Sequence, residues 1–379
     1  MPTFDVPIFD ALAPRPPDWS VPWDDINAAY DWVRALKDVP QDPQHHGEGD
    51  VATHTRLALE ALAGSAGYRD LPDTERSRLF AAVLMHDVAK PFTTQETESR
   101  ITAHGHSRGG DLLARRVLWE LGADPIEREH ICTLIRHHQV PFWALERDDL
   151  DAIAFRVSLL ARNEDLVELA RADIRGRVCD DVEALLDNVD LYAQWCADRG
   201  CLERPRDFAT DHARFAWFRH PARDPDYAAY DDTTFTVTVM SGLPATGKDT
   251  WITGHRGGQQ VISLDGIRDR MGVAPTADQA PVIAAARDQA RTLLRAKEPF
   301  IWNGTNITRQ MRQRIIGLCA DYGARVEIIA TEAPRAAISA RNRGRPAPVP
   351  ESVIDRLVRR WEAPDVTEAH QVTLVATLS

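Results

Sequence analysis

Two short stretches of the chain carry residue types that can do chemistry on phosphates. The first is His86-Asp87, at the end of the apolar run RLFAAVLMHDVAK. An imidazole and a carboxylate side by side near the inner end of a buried helix can reach one metal ion together. Lys90, one helical turn from His86, can meet a phosphate as a point charge. The second stretch is SGLPATGKDT, in which Gly242, Leu243, Pro244, Ala245, Thr246, Gly247, Lys248, Asp249 and Thr250 follow the serine. It lies between a β-branched run and a helical one, the context that a P-loop requires. Gly242 and Gly247 let the backbone wrap around phosphates, with amide N–H groups and a helix N-terminus supplying positive potential. Lys248 would reach the β- and γ-phosphates.

The loop departs from the usual pattern at one place. A Ser or Thr hydroxyl normally follows the lysine and ligates Mg²⁺; here Asp249 stands there, with Thr250 next. A carboxylate is also a hard oxygen ligand suited to Mg²⁺. Asp249 equally suits a helix start, where the macrodipole favours an acid. The two readings are compatible.

Asp265 ends the run QQVISLD, and Arg268 follows three residues on. At the carboxyl edge of a sheet, where α/β ligands bind, a carboxylate can accept the proton of an attacking hydroxyl. The arginine can pair with a substrate phosphate. Asp265 as a helix cap is the competing reading.

The elements that must position these groups differ between the two halves. From about Val51 to Trp217, apolar residues recur at i, i+3 and i+4, and no convincing strand is visible. The stretch FRHPARDPDYAAYDD then has two prolines and no periodicity. Beyond it FTVTVMSGL, QQVISLD, FIWNGTN, ARVEIIATE and QVTLVATLS alternate with helical or loop sequence, the grammar of a parallel sheet in a three-layer domain. The reading is two domains: all-α over 1–225, a linker at 226–233, and α/β with a parallel sheet over 234–379.

Composition bounds the class. With 379 residues, 44% hydrophobic and 27% charged, the chain has the make-up of a soluble two-domain protein. A net charge of −12 argues against non-specific coating of nucleic acid. Even so, residues 300–346 hold eight arginines against three acids, including the run RNRGR in a Pro/Gly-rich loop. Five scattered cysteines with no CxxC pair speak against a disulfide framework. The start, MPTFDVPIFDALAPRPPDW, lacks the basic and apolar regions of a signal peptide, and no apolar run is long enough to span a bilayer. A cytoplasmic protein with reduced thiols and no membrane partner is the expectation.

The order His54, His86-Asp87, Asp173 on successive helices resembles the HD superfamily of metal-dependent phosphohydrolases. HHGEGDVATHTRLALEAL, AAVLMHDVAKP, ITAHGHSRGGDLLA and LARADIRGR are similar to the HD domain of bacterial tRNA CCA-adding enzymes, over most of residues 45–180. The resemblance implies that His54, His86, Asp87 and Asp173 hold a divalent transition metal. His106, His137 and His138 stand where some members place a second ion or a phosphate contact; a hydrogen-bonded helix histidine is the alternative for each. His45, His46 and His104 read as near the pocket rather than in it. The metal would be Mn²⁺, Co²⁺, Ni²⁺, Cu²⁺ or Zn²⁺, since imidazole and carboxylate do not choose sharply among them.

The second half resembles the phage-type polynucleotide 5′-kinases. The resemblance implies Asp265 as general base and Arg268 as the grip on the acceptor phosphate. It extends to NGTNITRQMR, with Asn303, Thr305, Asn306 and Arg309, of which Arg309 is expected to contact the nucleotide, and to the lid-like ISARNRGRPAPVPESVI. There Arg341, Arg343 and Arg345 are candidates to clamp the donor phosphates, Arg341 and Arg345 being preferred. Across nearly the whole chain the pattern resembles bacterial fusions of an HD domain with a polynucleotide kinase. That implies healing of RNA or DNA ends. ATP or GTP with Mg²⁺ would phosphorylate a 5′-OH, and one or two HD metal ions would serve removal of 2′,3′-cyclic, 2′- or 3′-phosphates, with a ligase acting next. The alternative is a nucleoside, sugar or antibiotic kinase fused to a nucleotidase; a third reading is a regulator in which nucleotide binding gates the HD domain.

Overall fold

The computed structural model describes residues 9–98, 100–274, 277–345 and 347–376. Residues 1–8, part of the N-terminal stretch read above, and 377–379, the end of QVTLVATLS, lie outside them. Contacts divide the chain into two compact units between Asp207 and Phe208. Among the described residues no helix is long and apolar enough to cross a membrane.

The first unit is helical. Its centre is α2 (Asp73–Met85), in which every residue from Leu79 to Met85 is buried. A helix apolar on all sides must be wrapped by others. Against it pack α1 (Val51–Gly64), α4 (Pro125–His137) and α5 (Asn163–Arg175), and α3 (His106–Glu120) packs on α4. In α1, Val51, His54, Thr55, Ala58, Leu59 and Leu62 form the buried stripe, so His54 is carried inward by helical spacing alone. Asp50 caps that helix, accepting from the Thr53 amide at 2.9 Å. One two-residue antiparallel pair, Gln95–Glu96 with Ile101–Thr102, interrupts the helices, where no strand is legible in the sequence.

Gly176, just after α5, is required by packing. A Cβ there would stand 2.7 Å from the Ala58 nitrogen. The absence of a side chain lets the end of α5, which carries Asp173, close onto the turn of α1 that follows His54.

The second unit is a five-stranded parallel sheet. Its strands are β1 (Phe235–Ser241), β2 (Gln260–Ser263), β3 (Phe300–Asn303), β4 (Ala324–Glu332) and β5 (Gln371–Ala376), in the order β2-β3-β1-β4-β5. Val237, Val239, Phe300, Trp302, Val326 and Ile328 feed one apolar layer; Met240, Ile301 and Ile329 feed the other, with Ile252. Burial on both faces is the condition for an all-parallel sheet. The segment 226–233 carries neither helix nor strand. The helix Asp211–Arg219 has the periodicity of the first half but packs in the second unit. Its Arg214 donates to the Val366 and His370 carbonyls at 3.0 and 2.7 Å.

Candidate functional sites

In the first unit, five helices deliver side chains to one place. His86 and Asp87 leave the C-terminus of α2, and His138 that of α4; His106 opens α3, while His54 and Asp173 come from the buried stripes of α1 and α5. All six are nearly or fully buried. His54 Nε2 lies 3.2 Å from Asp173 Oδ1 and 3.4 Å from His86 Nε2. Asp87 Oδ2 is 3.3 Å from His86 Nε2, and its Oδ1 is 3.5 Å from His106 Nε2. His106 and His138 meet through Nε2 at 3.2 Å. The donor atoms of His54, His86 and Asp87 all lie within 4.8 Å of one another, as do those of Asp87, His106 and His138.

The tautomers follow from the outer nitrogens. His86, His106 and His138 each place Nδ1 at 2.7–2.8 Å from a backbone carbonyl, of Val83, Ala103 and Ile135 respectively. A carbonyl only accepts, so Nδ1 carries the hydrogen and Nε2 of a neutral ring offers a lone pair inward. These residues fit a divalent metal: inward imidazole lone pairs, two carboxylates, and Asp87 Oδ1 with no hydrogen-bond partner. Asp87 faces both histidine pairs.

Electrostatics hold the carboxylates ionised. Burial alone would raise the Asp87 carboxyl, but Lys90, His86 and His106 outweigh it and keep it well below the carboxylate range. Asp173 is likewise buried and held low, chiefly by Arg177, whose guanidinium donates to its carboxylate at 2.9–3.1 Å. Burial lowers His106 and pushes His138 down to about 3. Lys90 is buried between Asp87 Oδ2 at 2.7 Å and Gln41 Oε1 at 2.6 Å.

Of the sequence candidates, the pair His137–His138 separates. His138 enters the cluster, whereas His137 belongs to none of the ligand groups among the described residues. His104 is exposed, and His45 is half exposed near Asp181. His46 contacts Glu48, a residue that sequence reasoning missed, as it missed Gln41 and Arg177. A loop acid just before a capped helix has no periodic signal to mark it as inward.

In the second unit, the turn after β1 closes in the form that a phosphate cradle takes. Gly242 has φ +153° and passes so close to β4 that a Cβ would stand 2.5 Å from the Thr331 carbonyl. Ala245 and Gly247 are left-handed, and α6 (Lys248–His255) begins directly after. Lys248 Nζ donates to the Gly242 and Leu243 carbonyls at 2.9 and 2.8 Å. Burial pushes its pKa down to about 8; Asp249 and Asp265 oppose this, and Arg345 adds to it. Thr246 bridges the loop to Thr331 at 2.7 Å. Asn303 donates to Asp249 Oδ1 at 2.7 Å. Thr305 and Asn306 brace the cradle from behind: the Thr305 carbonyl accepts from the Gly242 amide, and Asn306 donates to the Met240 carbonyl.

Asp265 lies in the first turn of α7 (Leu264–Met271) rather than at the strand's last position. The cap is Ser263, whose hydroxyl accepts from the Gly266 amide at 3.1 Å, which leaves the Asp265 carboxylate free of that task. It pairs with Arg268 at 2.8 Å, its side chain 66% exposed. Arg309, expected to contact the nucleotide, is engaged within the protein. Its guanidinium donates to Asp365 and Thr367, both at 2.7 Å. Beside it the fully buried Arg312 makes a two-pronged pair with Glu368 at 2.8 and 2.9 Å. Arg341 and Arg345 are partly buried, on and just beyond α8 (Arg335–Arg343), where Asn342 closes the following loop through two hydrogen bonds to the Val349 backbone.

Comparison with known proteins agrees with both geometries. Residues 51–174 match the HD domain, and residues 237–364 match an AAA domain. The chain joins an HD domain to a P-loop domain of kinase-like fold. Curated relatives of the HD part are each called Multifunctional CCA protein. That of Halorhodospira halophila is 40% identical over 114 residues, 30% of this chain and 25% of that one. That of Hahella chejuensis is 30% identical over 150 residues, 38% and 33% of the two chains. The Alkalilimnicola ehrlichii protein is 32% identical over 146 residues, 37% and 33%. The chain therefore spans a quarter to a third of the length of these relatives. Its two domains make it a fusion of a kinase-type with a phosphohydrolase-type module.

Proposed function

We propose that the chain heals broken nucleic-acid ends, phosphorylating a 5′-OH with its P-loop domain and removing a 2′,3′-cyclic, 2′- or 3′-phosphate with its HD domain. In the P-loop domain, Lys248 and the loop amides hold the β- and γ-phosphates of ATP or GTP, and Arg341 and Arg345 cover them. Asp265 takes the proton of the attacking hydroxyl and Arg268 orients the acceptor phosphate; positioning and charge neutralisation are most of what phosphoryl transfer needs. Asp249, fixed by Asn303, would hold Mg²⁺ with the nucleotide. The observation that favours a polymer acceptor is the place of Asp265: largely exposed, and next to β2, one of the two edge strands of the sheet. A long substrate can reach it without being enclosed.

In the HD domain, His54, His86, Asp87 and Asp173 would hold one divalent ion, and Asp87, His106 and His138 a second. Bound there, such ions supply an acidified water and polarise a phosphoryl oxygen. The chain's own contribution is a buried pocket, fixed imidazole tautomers and the buried Lys90 beside Asp87, which would meet a phosphate oxygen as a point charge. The products, a 5′-phosphate and free hydroxyls, are what a ligase joins.

The kinase half of the reading is tested by offering γ-labelled ATP or GTP with Mg²⁺ to a 5′-OH oligonucleotide and, separately, to nucleosides and sugars. Label on the oligonucleotide alone is expected. Label on the small molecules alone would replace this function by a small-molecule kinase.

A further inference from the structure

The loop before α1 lies outside the residues that match the HD domain, yet it reaches the site. It is stitched to the segment after α5: the Gly47 amide donates to the Val178 carbonyl at 2.9 Å, and the Val178 amide donates to Glu48 Oε2 at 2.8 Å. This leaves Glu48 Oε1 facing two imidazoles, 2.8 Å from His46 Nδ1 and 2.9 Å from His54 Nδ1. The Glu48 side chain is 1% exposed. His54 is the exception among the four inward histidines. The other three rest Nδ1 on a backbone carbonyl; His54 Nδ1 is buried without an in-line hydrogen bond, and Glu48 Oε1 stands beside it off the ring N–H axis.

We propose that Glu48 is a positioning residue of the HD site: its carboxylate holds the hydrogen of His54 on Nδ1 and so keeps Nε2 as a lone pair facing Asp173 and His86. An ionised carboxylate can only accept, so it favours the Nδ1–H tautomer even at a bent angle, and in a buried place the attraction is little screened. A carboxylate behind an imidazole also makes the inner nitrogen more basic than a carbonyl does, which strengthens it as a metal ligand. His46 shares the same oxygen and keeps Glu48 turned toward the site. The inference deepens the proposed metal centre and rests on it.

The test uses the full-length chain and two readouts. The first is Mn²⁺ binding by titration calorimetry for wild type, Glu48→Gln, His46→Gln and Asp87→Ala. Glu48→Gln is expected to weaken Mn²⁺ binding by about 10–100-fold without changing the number of ions at saturation, with His46→Gln weaker in effect. The second is the ¹⁵N spectrum of histidine-labelled, chelator-treated protein. It should show His54 as the Nδ1–H tautomer in wild type and a mixture in Glu48→Gln. Wild-type affinity and an unchanged tautomer in Glu48→Gln would overturn the role of Glu48. So would an Nε2–H tautomer of His54 in the wild type, a result that stands even if the variant does not fold. Equal Mn²⁺ binding by wild type and Asp87→Ala would instead overturn the metal centre itself.

Discussion

His106 and His138 face each other through Nε2 at 3.2 Å while both Nδ1 hydrogens are spent on backbone carbonyls. Two neutral rings so arranged aim lone pairs at one another, which is repulsive unless a cation lies between or beside them. Burial disfavours protonating either ring. The second histidine pair, His54 and His86, has the same head-on contact at 3.4 Å, and Asp87 touches both pairs.

The expected consequence is a division of metal sites. His138→Ala should halve the Mn²⁺ retained after equilibrium dialysis, and Asp87→Ala should abolish it. Phosphate release from a 2′,3′-cyclic nucleotide should fall by more than about 100-fold in Asp87→Ala, since even changes behind a ligand cost ~10–100-fold. Chelation of the wild type should do the same, with recovery on adding metal back.

Lys248→Ala should separate the two modules. Lys248 rests on the carbonyls of its own loop, which under the proposed function it would exchange for phosphate oxygens. Its loss should lower 5′-phosphorylation by about 10³-fold, the scale of removing one electrostatic stabiliser. Hydrolysis at the HD site should be unchanged in the same preparation.

Much of this arrangement was legible from residue types and spacing, and what was not has physical causes. The buried run from Leu79 to Met85 announces itself by composition, and it fixes where His86 and Asp87 emerge. The P-loop is local, so its glycines, lysine and flanking elements appear together in the chain. Arg309 sits in a motif that resembles a nucleotide contact, whereas the partners it has here, Asp365 and Thr367, lie more than fifty residues on. Long-range ion pairs leave no periodic trace. Glu48 and Gln41 were hidden for the same reason: their roles come from a loop folded back over a site built by distant helices. His137 and His138 were indistinguishable as a pair, and only the end of α4 decides which one turns inward.

Arg309 offers a direct check between an internal ion pair and a nucleotide contact. Its pairing with Asp365, Thr367 and Glu368 is largely buried, and breaking a buried pair by removing one partner costs about 3–5 kcal/mol. Arg309→Ala should therefore lower urea stability by an amount approaching that range. Where the variant remains folded, its KM for nucleotide should match the wild type, because the guanidinium is committed elsewhere.

His370 gives the second unit a defined acid sensitivity. Burial pushes its pKa down to about 4, with Arg325 and His212 adding to the effect. Its Nδ1 accepts from the Val326 amide at 3.0 Å. The unfolded chain takes up this proton near pH 6.5, the folded one only near 4. The stability contributed by the neutral ring is thus complete above pH 6.5 and is lost as the pH falls toward 4. Urea unfolding across that window should show the decline, and His370→Gln, which keeps an acceptor for Val326, should flatten it.

The most direct measurement takes one oligonucleotide with a 5′-OH at one end and a 2′,3′-cyclic phosphate at the other. It is incubated with the full chain, ATP or GTP, Mg²⁺ and Mn²⁺, and both ends are weighed by mass spectrometry. Gain of a 5′-phosphate together with loss of the terminal phosphate, the first abolished by Lys248→Ala and the second by Asp87→Ala, is the predicted result. An oligonucleotide recovered with both ends unchanged would contradict the account.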